Sequence, residues 1–311
     1  MNDHILEYSR DAMERGSGSF AAASRLFDRE LREDVWLLYA WCRYCDDEID
    51  GQNHGHHMAP PSPVDRLRRL TRLKGLTHAA LSGEEMVEPA FAAFQRVALK
   101  HRFLPAWPEA MLDGFAMDVE RCDRIRIEDT LEYCWCVAGV LGVMIAAMMG
   151  VRDPQVLRRA QDLGLAFQLT NICRDVREDA ENGRLYLPAD LIRRVGLEPK
   201  PTALFDRENQ GSVFRVVDEL LALAESYYRS ARVGLRHLPF RSALAIASAR
   251  GIYREIGRRI LSRGPDALRG RTVVPKAVMS WQLLRGGLVA ACSRAERLSA
   301  APARPPLWSK I

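Results

Sequence analysis

The sequence lacks several features that would place a protein in a common functional class. It has no G-x-G-x-x-G stretch and no P-loop, so a nucleotide-binding sheet has no support. Its net charge of +5 is too small to indicate a dedicated nucleic-acid binder. The first residues, MNDHILEYSRDAMERG, are charged throughout, so we expect no signal peptide. What is left is an ordinary globular composition, with 48% apolar and 27% charged residues.

Lysine is also scarce, since only five of the 45 basic residues are Lys and the rest are Arg. A composition bias explains most of this imbalance. Arginine does, however, suit phosphate binding, because its planar group can bind two oxygens at once.

The cysteines do not suggest disulfides or a metal site. There are seven of them, an odd number, and they lie mostly in apolar segments, so we expect free, buried thiols in a reducing cytoplasm. Cys42 and Cys45 form a C-x-x-C, but no strand precedes it as in a redox motif. Cys134 and Cys136 have the wrong spacing to complete a zinc site with them.

Helical periodicity dominates the chain and predicts an all-α protein. We find no interdomain linker, so we expect a single domain over residues 1–311, with a Pro-rich, extended tail from about residue 300. The predicted helices span residues 20–50, 64–82, 87–101, 107–122, 128–150, 153–180, 212–237, 240–262 and 273–298.

One apolar run is long enough to cross a membrane. Residues 133–151, YCWCVAGVLGVMIAAMMGV, contain no charge. The next helix carries Asp162, Asn171 and Asp175, which is a poor pattern for a membrane protein. We therefore expect a buried central helix whose small residues leave room for a lipophilic tunnel. An integral membrane protein built on this run is the alternative.

The stretch YCDDEIDG, residues 44–51, crowds four acidic side chains against an apolar helix. Asp46 and Asp50 are four residues apart and share a helix face, with Asp47 to one side. Like charges at this spacing destabilise a helix unless something compensates. Mg²⁺ prefers carboxylate oxygens and brings phosphates with it. Arg43 and Tyr39 lie one and two turns earlier, and their side chains would point toward the same region as the two aspartates.

A second polar stripe lies in FQLTNICRDVREDAENGRLYLP, residues 167–188. Gln168, Asn171, Asp175 and Asp179 fall within about 80° of one another on one helix. Their neighbours are apolar, so buried oxygens here need partners, and a cation would supply them. The alternative for each motif alone is an exposed acidic face, but two such motifs on otherwise buried helices favour a metal site.

These motifs resemble those of head-to-head prenyl synthases, the family of squalene, dehydrosqualene and phytoene synthases. The resemblance rests on D-x-x-x-D after YAWCR, and on Q-x-x-N-x-x-x-D-x-x-x-D followed by GRLYLP. Further stretches resemble the bacterial phytoene synthases in particular, so the likeness covers nearly the whole chain. They are GSGSF at 16–20, EPAFAAF at 88–94, GFAMDVE at 114–120, YCWCVAGVLG at 133–142 and the terminal RPPLW.

The resemblance implies an isoprenoid synthase helical bundle around a central cavity, with the two motifs facing each other across it. It implies Mg²⁺ or Mn²⁺, no NADPH, and two geranylgeranyl diphosphates as substrates. They would condense through a cyclopropyl diphosphate to phytoene and diphosphate, in carotenoid biosynthesis. Diphosphate would take the final proton, with a tyrosine such as Tyr133 as the alternative base.

The family's site residues carry over one by one. The metal ligands would be Asp46, Asp50, Asn171, Asp175 and Asp179, with Gln168 adding an oxygen contact. The diphosphate contacts would be Ser17, Ser19, Arg43, Arg174, Arg184 and Tyr186, with Asp47 beside them. The chain tunnels or cation pocket would be lined by Phe20, Tyr39, Tyr133, Val137, Leu141, Gly142 and Leu165. Tyr253 and one later arginine, Arg269 or Arg271, would close the diphosphate site.

One position departs from the family pattern, because Gly18 stands where relatives commonly carry Lys between two serines. Two alternatives stay open. One is a squalene or dehydrosqualene synthase that uses farnesyl diphosphate, and the other is a non-catalytic prenyl-lipid-binding or assembly protein. We expect a cytoplasmic location with loose, peripheral membrane contact, because substrate and product are lipids.

Overall fold

The computed structural model describes residues 2–16, 24–53, 56–57, 62–120, 124–204 and 206–311. Apart from one two-residue ladder, the regular structure in these ranges is helical. The chain divides into two compact units. The first comprises residues 1–121 and 144–152, and the second comprises residues 122–143 and 153–311.

The first unit is built from helices that begin and end at ordinary capping signals. Asp28 accepts a hydrogen bond from the Leu31 backbone N–H at 3.0 Å and starts α2. Gly51, in the left-handed conformation at φ 66°, ends it. The helices are α1 (Asn2–Gly16), α2 (Arg29–Asp50), α3 (Pro63–Ser82), α4 (Pro89–His101) and α5 (Ala106–Val119). Strands β1 (Gln52–Asn53) and β2 (His56–His57) pair antiparallel directly after α2.

The core of this unit holds α2 in place. Trp41 is fully buried and stacks on Phe94 of α4, with ring centroids 4.3 Å apart. Asp34 is also buried, and it accepts hydrogen bonds from Lys100 and His101 at 2.7 Å each. Burial raises the pKa of Asp34, but these two bonds outweigh burial and hold it below its ordinary value. These contacts fix the position of α2, the helix that carries the acidic residues at its C-terminal end.

The second unit continues with longer helices. They are α6 (Ile127–Cys134), α7 (Val140–Met148), α8 (Pro154–Arg174), α9 (Val176–Glu181), α10 (Ala189–Arg194), α11 (Gln210–Gly234), α12 (Phe240–Arg263) and α13 (Lys276–Ala295). A π-helical segment, Trp135–Gly139, joins α6 to α7, and residues from Met144 onward in α7 belong to the first unit. Short 3₁₀ turns follow at Pro201–Leu204, Leu235–His237, Gly264–Arg269 and Glu296–Leu298.

Backbones approach closely where the π-helical segment and the start of α7 meet α8. A Cβ on Gly164 would lie 2.3 Å from the carbonyl oxygen of Ala138, and one on Gly142 would lie 2.6 Å from that of Ala160. A Cβ on Gly139 would lie 2.6 Å from a methyl of Leu165. The expectation that these small residues leave room is therefore wrong at Gly139 and Gly142, because α8 fills that space.

The C-terminal segment is extended, as predicted, and it is anchored to α8. Asp162 is fully buried, and Arg304 binds both of its carboxylate oxygens at 2.7 and 2.9 Å. Ser230 of α11 donates a further hydrogen bond to the same carboxylate. The segment thus supplies the positive charge that the buried Asp162 requires.

Most predicted helices are confirmed, with three differences. The structure adds α1 and α10, which the periodicity did not predict. The predicted helix over 153–180 ends at Arg174 and resumes at Val176. Helix α2 begins at Arg29 rather than near residue 20.

The long apolar run forms part of a helical stretch, Ile127–Met148, that is long and apolar enough to cross a membrane by length and composition alone. Of its apolar window, 67% is buried inside the protein. Such burial is typical of a core helix and agrees with the sequence interpretation.

Candidate active site

The first acidic motif forms at the C-terminal end of α2. Arg43 reaches one turn ahead and pairs with Asp46 at 3.3 Å and with Asp47 at 2.6 Å. Asp46 is 44% exposed, whereas Asp47 is 14% exposed. The predicted cluster of Arg43, Asp46 and Asp47 therefore exists, and the cation that offsets its negative charge here is a guanidinium from the same helix.

Tyr39 lies one turn before Arg43, as the spacing predicts, and packs against the end of α1. A Cβ on Gly16 would lie 2.3 Å from the Tyr39 hydroxyl, so only glycine fits beside this ring without displacing it. Burial raises the pKa of Tyr39 to about 12, although nearby Arg43 works against the shift. Tyr39 is therefore neutral at physiological pH.

The C-x-x-C in the same helix is buried. Burial raises the pKa of the Cys42 and Cys45 thiols, so neither forms a thiolate readily. All six cysteines in the described ranges are free thiols, and only Cys292 is exposed. This agrees with the prediction of free, mostly buried thiols.

The second motif sits where α8 gives way to α9. Asp175 has φ −103° and ψ 13°, outside helical values, and its N–H still bonds the Asn171 carbonyl at 2.9 Å. The chain then turns through α9, where the Asp179 N–H bonds the Asp175 carbonyl at 2.8 Å. The single straight stripe predicted for Gln168 to Asp179 is therefore wrong beyond Asp175, because the helix breaks there.

Two arginines converge on Asp175, which is only 17% exposed. Arg174 binds both carboxylate oxygens, and Arg271 approaches one of them at 3.2 Å from the loop after α12. Arg271 also lies 3.8 Å from Glu178. Arg269 instead pairs with Asp266 at 2.9 Å on the surface. Of the two candidates that the sequence left open, the structure thus brings Arg271 to the motif.

Asn171 carries an oxygen that suits a cation. Its amide N–H donates to Gln168 Oε1 at 3.4 Å, which leaves Asn171 Oδ1 pointing elsewhere. That oxygen is buried and receives no hydrogen bond from any residue that the structure describes. A buried amide oxygen without a donor is costly unless a positive group approaches it. The donor set of Asn171 and Asp175 therefore fits a hard divalent ion.

Among the described residues, no group of three or more His, Cys, Asp or Glu side chains is arranged to hold a metal ion. Of the predicted ligands, Asp46 has one oxygen 3.3 Å from Arg43, and both oxygens of Asp175 are contacted by arginines.

An aromatic pair in the second unit contacts a residue that the sequence reasoning missed. Tyr133 of α6 stacks on Tyr186, with centroids 5.1 Å apart. The guanidinium carbon of Arg124 lies 4.0 Å from the Tyr133 centroid and 4.6 Å from that of Tyr186. Arg124 reaches them because backbone bonds of 2.9 Å join residues 124 and 125 to the start of α10 at Ala189 and Asp190. Both rings accept a positive charge on their faces.

The remaining predicted residues of the second unit lie on α6 to α12. Tyr253 stacks on Phe167 of α8 at 4.2 Å, and burial raises its pKa although Arg174 opposes the shift. Leu165 is fully buried. Val137 and Leu141 are half-buried, one turn apart, in a run that is otherwise mostly buried. Their role in lining a tunnel stays a prediction.

Three predicted residues, Ser17, Ser19 and Phe20, lie outside the described residues, as does Gly18. Arg184 is half-buried, and its N–H bonds the Asp179 carbonyl at 2.8 Å.

Comparison with known proteins finds relatives that match most of the chain. Residues 13–278 match the family described as squalene/phytoene synthase. The chain is 50% identical to a phytoene synthase from Pseudescherichia vulneris, over 85% of this chain and 84% of that one. It is 45% identical to a 15-cis-phytoene synthase from Pantoea ananas, over 99% of both. Its fold is similar to a crystal structure of a dehydrosqualene synthase, with a TM-score of 0.81 at 25% identity over 93% of this chain and 98% of that one. The predicted all-α fold class is confirmed.

Proposed function

Because the chain belongs to the squalene/phytoene synthase family, we propose that it is a phytoene synthase of carotenoid biosynthesis. The enzyme joins two geranylgeranyl diphosphates head to head, through a cyclopropyl diphosphate, into phytoene and diphosphate. The resemblance inferred from the motifs is confirmed by the family match and by relatives named as phytoene synthases. The observation that carries the proposal is the buried oxygen of Asn171, which accepts no hydrogen bond from any described residue, beside an arginine-bound Asp175.

We propose Mg²⁺, or Mn²⁺ in its place, as the metal. The ligands would be Asp46 and Asp50 in the first motif, and Asn171, Asp175 and Asp179 in the second. When bound, the metal would neutralise the diphosphate and help it depart. That the two motifs act on one pair of substrates stays a prediction.

The arginines of both motifs provide diphosphate contacts. Arg43, Arg174 and Arg271 now bind carboxylates, and their donors suit phosphate oxygens equally well. A diphosphate with its metal would take the place of these internal pairs, so the charges are already in position before the substrate arrives. Such fixed charges favour ionisation, because no reorganisation is needed when the negative charge develops.

The aromatic pair Tyr133 and Tyr186 suits the carbocation that ionisation leaves. The same rings already stack on the guanidinium of Arg124, which shows that a cation fits against them. Val137 and Leu141 would keep water from the prenyl chain. The last proton would leave to diphosphate, with Tyr133 as the alternative acceptor. We propose that no NADPH takes part, and that the protein is cytoplasmic with peripheral membrane contact.

The test is product analysis by mass. Geranylgeranyl diphosphate (C20) with Mg²⁺ and without NADPH is expected to give C40 phytoene. A C30 product formed only from farnesyl diphosphate (C15) would replace the proposal with a dehydrosqualene or squalene synthase, the former being the activity named for the similar solved structure. No product from either substrate would favour a prenyl-lipid-binding protein.

A further inference from the structure

Helix α13 packs with its small residues inward. Its buried residues are Gln282, Gly286, Ala290 and Ser293. They face α12, where contact is so close that a Cβ on Gly286 would lie 2.2 Å from the Ser248 hydroxyl. A Cβ on Gly251 of α12 would likewise lie 2.6 Å from Gln282 Oε1. The helix thus needs no large apolar side chain to hold its place.

Three large apolar side chains of α13 point the other way. Trp281 is 60% exposed, Leu284 is 69% exposed and Leu288 is 68% exposed. Their spacing places them within about 60° of one another, on the side opposite to the packed residues. A surface helix normally shows the reverse arrangement, with its large apolar residues inward. We call Trp281, Leu284 and Leu288 the outward apolar face.

The charges on α13 are all positive. The helix carries Lys276, Arg285 and Arg294, each exposed, and its sequence contains no Asp or Glu. Arg285 lies at one edge of the outward apolar face, and the other two lie toward the opposite edge. An apolar stripe bordered by basic residues is the pattern of a helix that lies in a membrane interface.

We propose that the outward apolar face docks this protein onto an anionic lipid bilayer. Tryptophan prefers the interface between acyl chains and headgroups, and the leucines would enter the acyl boundary. The flanking arginines and Lys276 would bind acidic headgroups, and each such residue strengthens attachment.

A second copy of the chain fits this face less well. The stripe from Trp281 to Leu288 extends only about 10 Å along the helix. A stable protein interface buries about 800 Å² on each partner. A symmetric contact would also bring Arg285 toward the same residue of the copy, and like charges there would repel.

The docking inference does not depend on which prenyl diphosphate the protein uses. It is compatible with the proposed function, since long-chain prenyl substrates partition into membranes. The two are tested separately, because activity is measured on detergent-dispersed substrate and docking is measured without substrate.

The experiment is flotation of the full chain with vesicles of phosphatidylcholine alone or mixed with phosphatidylglycerol. We expect binding to the mixed vesicles, weakened by salt. The double variant Leu284→Gln and Leu288→Gln should lower the partition coefficient at least about tenfold, because two leucines that would enter the bilayer are lost. Its turnover in detergent should stay that of the wild type.

The matched control is Leu67→Gln with Leu104→Gln, which removes two leucines that are 47% and 56% exposed elsewhere. This control should bind vesicles like the wild type. Trp281→Phe should keep binding but lose most of the blue shift in tryptophan emission that vesicles cause. Unchanged binding by the Leu284/Leu288 variant overturns the proposal. A concentration-dependent dimer in sedimentation, abolished by that variant while vesicle binding is absent, also overturns it and assigns the face to a second copy.

Discussion

The two acidic motifs neutralise their charge in different ways. In the first, Arg43 pairs with carboxylates three and four residues ahead on one continuous helix, and Asp46 stays largely accessible. In the second, the helix breaks at Asp175, and one of its two arginines, Arg271, comes from nearly a hundred residues away. The pairs of Arg43 in the first motif thus form within α2, whereas the pair of Arg271 in the second requires the tertiary fold.

Because of this difference, the effect of a mutation on turnover can be separated from its effect on stability. A motif whose pairs lie within one helix can lose a partly exposed carboxylate, such as Asp46, without disturbing the core. A motif assembled across α8 and the loop after α12 uses its carboxylate to hold two arginines as well. Changes at the two sites should therefore have similar effects on turnover and different effects on folding.

The largest expected effect comes from Asp46→Asn and Asp175→Asn. Each should lower turnover about 10³-fold, because a carboxylate of the proposed metal site would contribute several kcal/mol to stabilising the transition state. Only Asp175→Asn should also lower the free energy of unfolding, by about 1–3 kcal/mol, since it leaves half-buried Arg174 unneutralised. Steady-state rates and denaturant melts check both. Glu181→Gln on exposed α9 is the control and should change neither. Equal stability losses at Asp46 and Asp175 would contradict the comparison.

An intermediate effect is expected from Arg271→Ala, with Arg269→Ala as its matched control. The first should raise KM or lower turnover roughly 10–100-fold, because a charged contact to diphosphate is lost while Arg174 stays in place. The second removes only a surface pair with Asp266 and should be near wild type. If Arg269→Ala were the more damaging change, the assignment of Arg271 to the site would be wrong.

The smallest expected effect is a change in stability with pH. Burial raises the pKa of Tyr39 to about 12 from its ordinary 10. The stability that the neutral phenol contributes is therefore present below pH 10 and is lost as the pH rises toward 12. The difference in unfolding free energy between wild type and Tyr39→Phe should shrink as the pH rises from about 10 to about 12.

Tyr253→Phe in the second unit should follow the same trend, because burial raises the pKa of Tyr253 as well. Denaturant melts at each pH supply the measurement. Differences that stay constant across this range would show that neither tyrosine titrates with a raised pKa.

Much of the candidate site could be predicted because helical spacing is local. Arg43, Asp46 and Asp47 were placed together by counting residues, and so were Gln168 and Asn171. The break at Asp175 was missed because neither Gly nor Pro marks it. Helix α1 was missed although Ser9, Ala12 and Met13 are buried at helical spacing, a signal hidden by the charges around them.

Other parts depend on long-range contacts and give no local signal. Arg124 lies nine residues before Tyr133 in sequence, and only pairing with α10 brings it to the aromatic pair. The choice between Arg269 and Arg271 likewise depends on how the loop after α12 folds back toward Asp175. Neither contact can be predicted from residue spacing along the chain.

The glycine contacts between α8 and the helical run before it have a consequence for substrate length. Where helices touch through their backbones, no side chain lies between them that could rotate or be replaced by a shorter one. This junction is therefore rigid. An adjustment that admits a longer or shorter isoprenoid would then come from side chains outside these backbone contacts, among them Val137 and Leu141, which are half-buried. Product length in this lineage would evolve through exchanges at those two positions, while Gly139, Gly142 and Gly164 stay fixed.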